Sequence, residues 1–182
     1  MRAFVAVFPP PEVRKKVLVS VRRLLSTHRM RWTRQENIHL TLKFLGNNVR
    51  EEDLESVRDA LGEICAVHAP FDATLAELVA FPSARRAQIL WAGVGAGSDR
   101  LRSLATDIDA TLAPLGYARE KRPYVPHLTL GRVHGRPKCI NLPSCIEDLG
   151  FWIQSVELIE STLTTEGALY RTVESFALEG RS

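Results

Sequence analysis

Long apolar runs are missing from this chain. No stretch approaches the ~20 consecutive apolar residues of a membrane-spanning helix. The apolar opening Ala3 to Phe8 is too short for a secretory signal and meets Pro9-Pro10-Pro11. Cysteine is scarce, with only Cys65, Cys139 and Cys145 in 182 residues. An odd, scattered set argues against a disulfide framework and for a reducing compartment, so a cytoplasmic protein is expected. A strong charge of one sign is also absent. The net charge of +3 favours an anionic ligand but falls well short of a nucleic-acid coat protein. No glycine-rich phosphate loop occurs: Gly93-x-Gly95-x-Gly97 lacks the wider dinucleotide fingerprint. No Gly-x-Ser-x-Gly elbow is present. His134, Cys139 and Cys145 match no common zinc spacing, so neither a metal nor a cofactor is expected.

What the chain does contain is a tetrapeptide twice over. His-Leu-Thr-Leu stands at 39–42 and again at 127–130, and 127 minus 39 is 88, close to half the chain. The recurrence, with identical flanking leucines, points to an internal duplication carrying one histidine per half. In a strand, side chains alternate between faces. His39 and Thr41 therefore share a face, as do His127 and Thr129, while Leu40, Leu42, Leu128 and Leu130 turn to the core and set the register. Residues i and i+2 lie ~6.6 Å apart, so imidazole and hydroxyl can converge on one tetrahedral anion. Two imidazoles that titrate near neutral pH and two hydroxyl donors suit general acid–base cleavage of a phosphodiester.

Elsewhere the patterning is that of a mixed fold. Strands are expected at Ala3–Phe8, Ile38–Leu45, Phe71–Phe81, Gln88–Val94, His127–Val133, Ile153–Thr164 and Tyr170–Leu178. Helices are expected after Pro11, with Val13, Val17, Val21, Leu24 and Leu25 inward; after Glu51-Glu52, with Leu54, Val57, Leu61 and Ile64 inward; and from about Asp99 to Leu115, ended by Gly116. Residues 134–150 read as irregular. The whole chain, 1–182, is expected to form a single α+β domain of two pseudo-symmetric lobes. Each lobe has a mostly antiparallel sheet and flanking helices, and a groove lies between them.

The chain resembles the 2H phosphoesterase superfamily, and within it the RNA 2′,3′-cyclic phosphodiesterases, formerly called 2′–5′ RNA ligases. The likeness rests on the opening Arg2-Ala3-Phe4-Val5-Ala6-Val7, the run Arg31-Trp32-Thr33 to Leu45-Gly46 around the first motif, and Phe81-Pro82-Ser83 with Leu90-Trp91. It continues through Lys121-Arg122-Pro123-Tyr124-Val125-Pro126 into the second motif and Gly131-Arg132, then Glu160 to Leu163 and Tyr170. The resemblance implies opening of RNA 2′,3′-cyclic phosphate ends to 2′-phosphates without metal. It gives His39 as proton donor to the leaving 3′ oxygen and His127 as the base that activates water, with Thr41 and Thr129 on the phosphate and Arg132 neutralising the anion. Gly131 stands where alanine is usual and is expected only to loosen the backbone. On residue types alone the two motifs are chemically symmetric, and donor and acceptor stay interchangeable. The implied partners are RNA ends or cyclic nucleotides, acted on by a monomer with no obligate protein partner. The rival readings are 2′–5′ ligation by the reverse reaction and a non-catalytic module that binds RNA ends.

Several residues carry two readings. Arg132 lies at odd spacing from Thr129, so on a regular strand it faces away; a bulge or its own length would bring it round, and otherwise it is a surface salt bridge. Tyr124 and Trp32 are either base-stacking platforms or core. Arg85, Arg86, Lys121 and Arg122 guide an RNA backbone or sit solvated. Lys43 shares a face with His39 and Thr41 by strand parity, and so borders the groove or lies exposed on the sheet. His28 and His68 fall near helix ends as surface or capping residues.

Overall fold

A computed structural model describes residues 1–136, 139–142 and 149–181. Among these, nine strands form one antiparallel sheet: β1 (Ala3–Val7), β2 (Met30–Trp32), β3 (Leu40–Gly46), β4 (Phe71–Phe81), β5 (Ile89–Val94), β6 (His127–Val133), β7 (Gly150–Ile153), β8 (Ser155–Thr164) and β9 (Gly167–Ala177). Three helices accompany them: α1 (Pro11–Leu24), α2 (Leu54–Val67) and α3 (Ser98–Leu112). None of the helices among the described residues is long and apolar enough to cross a membrane.

The strand order is β7-β4-β5-β6-β3-β1-β8-β9, with β2 on β6. Along this path, β2 aside, four strands lie on each side of the β6–β3 junction, and the two motif strands meet there through Leu40 opposite Leu128. Both leucines are fully buried, and burial of each contributes about 1.5–3 kcal/mol. The α+β class with antiparallel sheets is as expected, but the lobes are not the two halves of the sequence. The last strands, β8 and β9, return to pair beside β1. Packing rather than chain order decides this, because β1 is apolar on both faces and needs cover on each. Ala3, Val5 and Val7 join the main core, while Phe4 and Ala6 pack with Ile159 of β8, Phe8 and Tyr170.

The helices follow their apolar spacing. Pro11 opens α1, where its missing N–H costs nothing. Val13, Val17, Leu18 and Val21 are buried, but Leu24 is exposed and Leu25, just past the helix, takes the core position. Glu51–Asp53 form a 3-10 turn ahead of α2. Residues Ala113–Leu115 form another after α3, and Gly116, with φ of 93°, reverses the chain. Missed in the sequence were the three-residue strand β2 and the break between β7 and β8 at Gln154. The irregular stretch expected at 134–150 falls partly outside the described residues, as does Cys145.

Both motif strands carry a bulge at the same place. Val5 pairs with Lys43 and the next residue, Ala6, with Thr41; likewise Leu90 pairs with Gly131 and Trp91 with Thr129. One extra residue, Leu42 in β3 and Leu130 in β6, is thereby inserted. Such a bulge inverts the side-chain alternation beyond it. Lys43 consequently turns away from the groove, is 2% exposed, and bonds Asp109 of α3 at 2.5 Å as well as the Ala118 carbonyl. Neither sequence reading of Lys43 holds. Gly131 is buried in the bulge of β6, where a β-carbon would lie 3.2 Å from the Arg31 carbonyl oxygen and from the Trp32 ring. Its absent side chain lets β2 lie close against β6, a role beyond loosening the backbone.

Candidate active site

The two His-x-Thr pairs open into one cavity of about 290 Å³, lined by His39, Thr41, His127, Thr129 and Arg132 among others. Continuing the Leu40–Leu128 register by one residue each way sets His39 opposite Thr129 and Thr41 opposite His127. The four side chains thus form a quartet about a local pseudo-two-fold axis.

Each imidazole is oriented by its own backbone. His39 Nδ1–H donates to the Asn37 carbonyl at 2.7 Å, and His127 Nδ1–H donates to the Val125 carbonyl at 2.7 Å. A ring nitrogen facing a carbonyl must carry the proton, so Nε2 of each neutral ring holds the lone pair. The Thr41 hydroxyl donates to His39 Nε2 at 2.9 Å. Among the bonds of the described residues, none engages His127 Nε2.

Aromatic walls complete the histidine settings. His39 stacks on Phe4 with centroids 4.8 Å apart, and Phe8 and Tyr170 close in at 5.3 and 5.4 Å. His127 stacks on Trp91 at 4.1 Å, and Trp91 in turn lies parallel to Phe81 at 5.3 Å. Burial lowers the pKa of both histidines from the ordinary value, and for His39 the nearby His127 adds to the lowering. In each case the backbone carbonyl pulls the other way but does not prevail.

This has a measurable consequence at Trp91. Trp91→Ala admits water beside His127 and removes most of its desolvation. The His127 pKa is then expected to rise toward ~6.5. An NMR titration of the imidazole protons checks this; an unmoved midpoint would mean that the indole is not what lowers it.

Arg132 does reach the cavity, because the bulge at Leu130 turns it onto the face of His127 and Thr129. Tyr124 stands apart. It is packed against the core, lines a neighbouring cavity of about 640 Å³ that shares Thr41, Phe44 and His127, and buries a hydroxyl that has no partner among the described residues. Burial raises its pKa. Lys121 and Arg122 border that second cavity, whereas Arg85 and Arg86 lie exposed on a turn and line neither. Trp32 packs half-buried on the core. His68 follows α2 and bonds Asp107 at 2.8 Å. Among the described residues, no three of His, Cys, Asp and Glu are grouped to hold a metal ion.

Among the residues of the site that the sequence reading gave no role are Phe4, Trp91, Tyr170 and Arg2. The first three surround the imidazoles from strands distant in sequence. Only β-pairing reveals that Trp91 lies beside Thr129 and Tyr170 beside Ser161.

The model of the 2'-5' RNA ligase superfamily matches residues 9–164. An Aquifex aeolicus protein named RNA 2',3'-cyclic phosphodiesterase is 30% identical, covering 99% of this chain and 98% of its own. A crystal structure from Thermus thermophilus superposes with a TM-score of 0.87 at 28% identity, covering 100% of both chains. The fold is also that of E. coli LigT complexed with 3'-AMP, with a TM-score of 0.81 at 24% identity and 97% of each chain covered. With that model matched over most of its length and relatives 30% identical from end to end, the chain belongs to the 2'-5' RNA ligase superfamily.

Proposed function

We propose that this chain is an RNA 2′,3′-cyclic phosphodiesterase that opens the cyclic phosphate to a 2′-phosphate with two histidines and no metal ion. The observation that carries the reading is the convergence of both His-x-Thr pairs and Arg132 on one cavity. The names borne by its relatives agree with it.

In this reading Thr41, Thr129 and Arg132 hold the phosphoryl oxygens. His127 Nε2 takes a proton from water, whose oxygen bonds to phosphorus. The bond from phosphorus to the 3′ oxygen breaks, and that oxygen receives a proton from His39 Nε2. The 2′ ester bond survives. Each Nδ1–H stays on its backbone carbonyl throughout, so the same nitrogen of each ring meets the substrate every cycle. Positioned proton transfer of this kind contributes ~10²–10⁴-fold. Positioning and charge stabilisation by the threonines and Arg132 add to it.

The active form holds one proton between two imidazoles, and burial lowers both. In the free protein that proton is lost as pH rises through the pair's upper macroscopic value, while a second is gained at low pH and blocks the base. A bell-shaped kcat/KM is therefore expected, with its maximum on the acid side of ~6.5. Bound phosphate favours the imidazolium, so the alkaline limb of kcat lies at higher pH than that of kcat/KM. The experiment is turnover of a nucleoside 2′,3′-cyclic phosphate across pH in the presence of chelator, with the product's phosphate position read by phosphorus NMR. A rate level from pH 5 to 9, or a 3′-phosphate product, overturns the mechanism.

A further inference from the structure

The cavity has a second arginine. Arg2 lies at the foot of β1, and its guanidinium sits 4.5 Å from the centre of the Phe44 ring while also lining the cavity. Phe44 occupies, in β3, the place that Arg132 occupies in β6. Each is third after its threonine, past its bulge, opposite Phe4 and Ile89 respectively. The quartet's pseudo-symmetry is therefore broken here, with an arginine on one side and an aromatic ring carrying a borrowed guanidinium on the other.

Arg2 is held in place. Ser161 N–H donates to its carbonyl at 2.8 Å, and Val49 N–H donates to the preceding Met1 carbonyl at 2.8 Å. Its Nη1 donates to Asn47 Oδ1, leaving the rest of a five-donor fork for a ligand. Among the described residues none of the ion pairs engages Arg2, whereas Lys43 on the neighbouring strand is neutralised by Asp109. An arginine fixed by backbone and ring, uncompensated, and facing a cavity is prepared for an anion.

A cyclic phosphate carries one negative charge, and Arg132 stands beside the motif threonines to meet it. Arg132 is third after Thr129, whereas Arg2 precedes Ala3, which pairs with Gly46, the fifth residue after Thr41. The Arg2 backbone thus enters the cavity at least two residues, roughly 7 Å, farther along the sheet than that of Arg132, a displacement of the order of one nucleotide step. It also lies in the lobe of His39, the side where the leaving 3′ oxygen, and hence the ribose and the rest of the chain, must stand.

We propose that Arg2 binds the internucleotide phosphate immediately 5′ of the cyclic phosphate, making the site selective for the end of an RNA chain over a free cyclic mononucleotide. This rests on the phosphodiesterase reading above. The test compares kcat/KM for a 2′,3′-cyclic mononucleotide and for a dinucleotide ending in the same group, in wild type, Arg2→Ala and Arg2→Lys. A hydrogen-bonded charge contact corresponds to about tenfold or more. The ratio of dinucleotide to mononucleotide is expected to fall about tenfold in Arg2→Ala and to recover in part in Arg2→Lys. The salt dependence for the dinucleotide should lose about one unit of slope. An unchanged ratio, or a parallel loss on both substrates, overturns the assignment. Calorimetric binding of the mono- and dinucleotide 2′-phosphates to the same variants reads the same ratio without turnover. Wild type that binds with the expected ratio yet hydrolyses neither cyclic substrate sinks the activity and leaves the subsite standing. Circular dichroism confirms that each variant is folded.

Discussion

His39→Ala and His127→Ala are each expected to lower kcat on a nucleoside 2′,3′-cyclic phosphate by about 10²–10⁴-fold. The double variant should lose far less than the product of the two, because groups that act as one proton relay are not independent. The leaving group separates the two roles. An alkoxide leaving a cyclic phosphate needs a proton as it departs, whereas a nitrophenolate does not. On an aryl phosphodiester, His39→Ala is expected to recover most of its deficit while His127→Ala keeps its own. The opposite pattern would exchange acid and base, and wild-type turnover in the double variant would remove the mechanism. The backbone bonds make the test clean. Asn37 and Val125 lose only a side-chain donor at the cavity edge, so neither motif strand is unpaired by the change.

Much of this site is legible in the chain because the strand period is two. His39 with Thr41, His127 with Thr129, and the buried leucines between them follow from alternation alone. Alternation then misleads beyond the threonines. A bulge leaves no signature in residue type when the inserted residue is another leucine, so alternation alone sets Lys43 on the groove face and turns Arg132 away, and leaves open whether a bulge brings Arg132 round. The structure reverses the first and brings Arg132 round by the bulge. The aromatic settings of the histidines were hidden for a different reason. Phe4 and Tyr170 are 166 positions apart in number yet pack edge to face at 5.0 Å, a contact made by β1, β8 and β9 lying side by side. Long-range strand order depends on which faces need cover, and a linear apolar pattern does not state it. Short β2 escaped because three residues hold no period, and only the bare backbone of Gly131 betrays where it docks.

Lys43→Ala is expected to destabilise the protein by about 3 kcal/mol, at the lower end for breaking a buried ion pair. For a chain of this size that is a fall of roughly 6–12 °C in Tm. The lysine side chain is 1% exposed and Asp109 18%, so the carboxylate left behind is partly desolvated and has lost its cation. The Ala118 carbonyl loses its donor as well, although the Glu120 N–H still reaches Asp109 Oδ1 at 3.1 Å. The charge, rather than the volume, accounts for most of the cost. Burial would raise the Asp109 carboxyl, but the bonds from Lys43 and the Glu120 N–H hold it below the usual carboxylate range. A depressed carboxyl contributes stability above its unfolded value near ~3.9, and that contribution is lost as pH falls through the lower folded value. The gap between wild type and Lys43→Ala should therefore be full at pH 7, narrow as pH falls past the unfolded carboxyl value, and close only below the depressed value that Asp109 holds in the wild-type fold. A Lys43→Met, Asp109→Leu double variant, which leaves no lone charge, should recover most of the loss. Thermal melts of the three proteins at pH 7 and pH 3.5 decide it. A pH-independent deficit, or a double variant no better than the single, would mean that packing of the lysine stem and not the ion pair ties the first motif strand to α3.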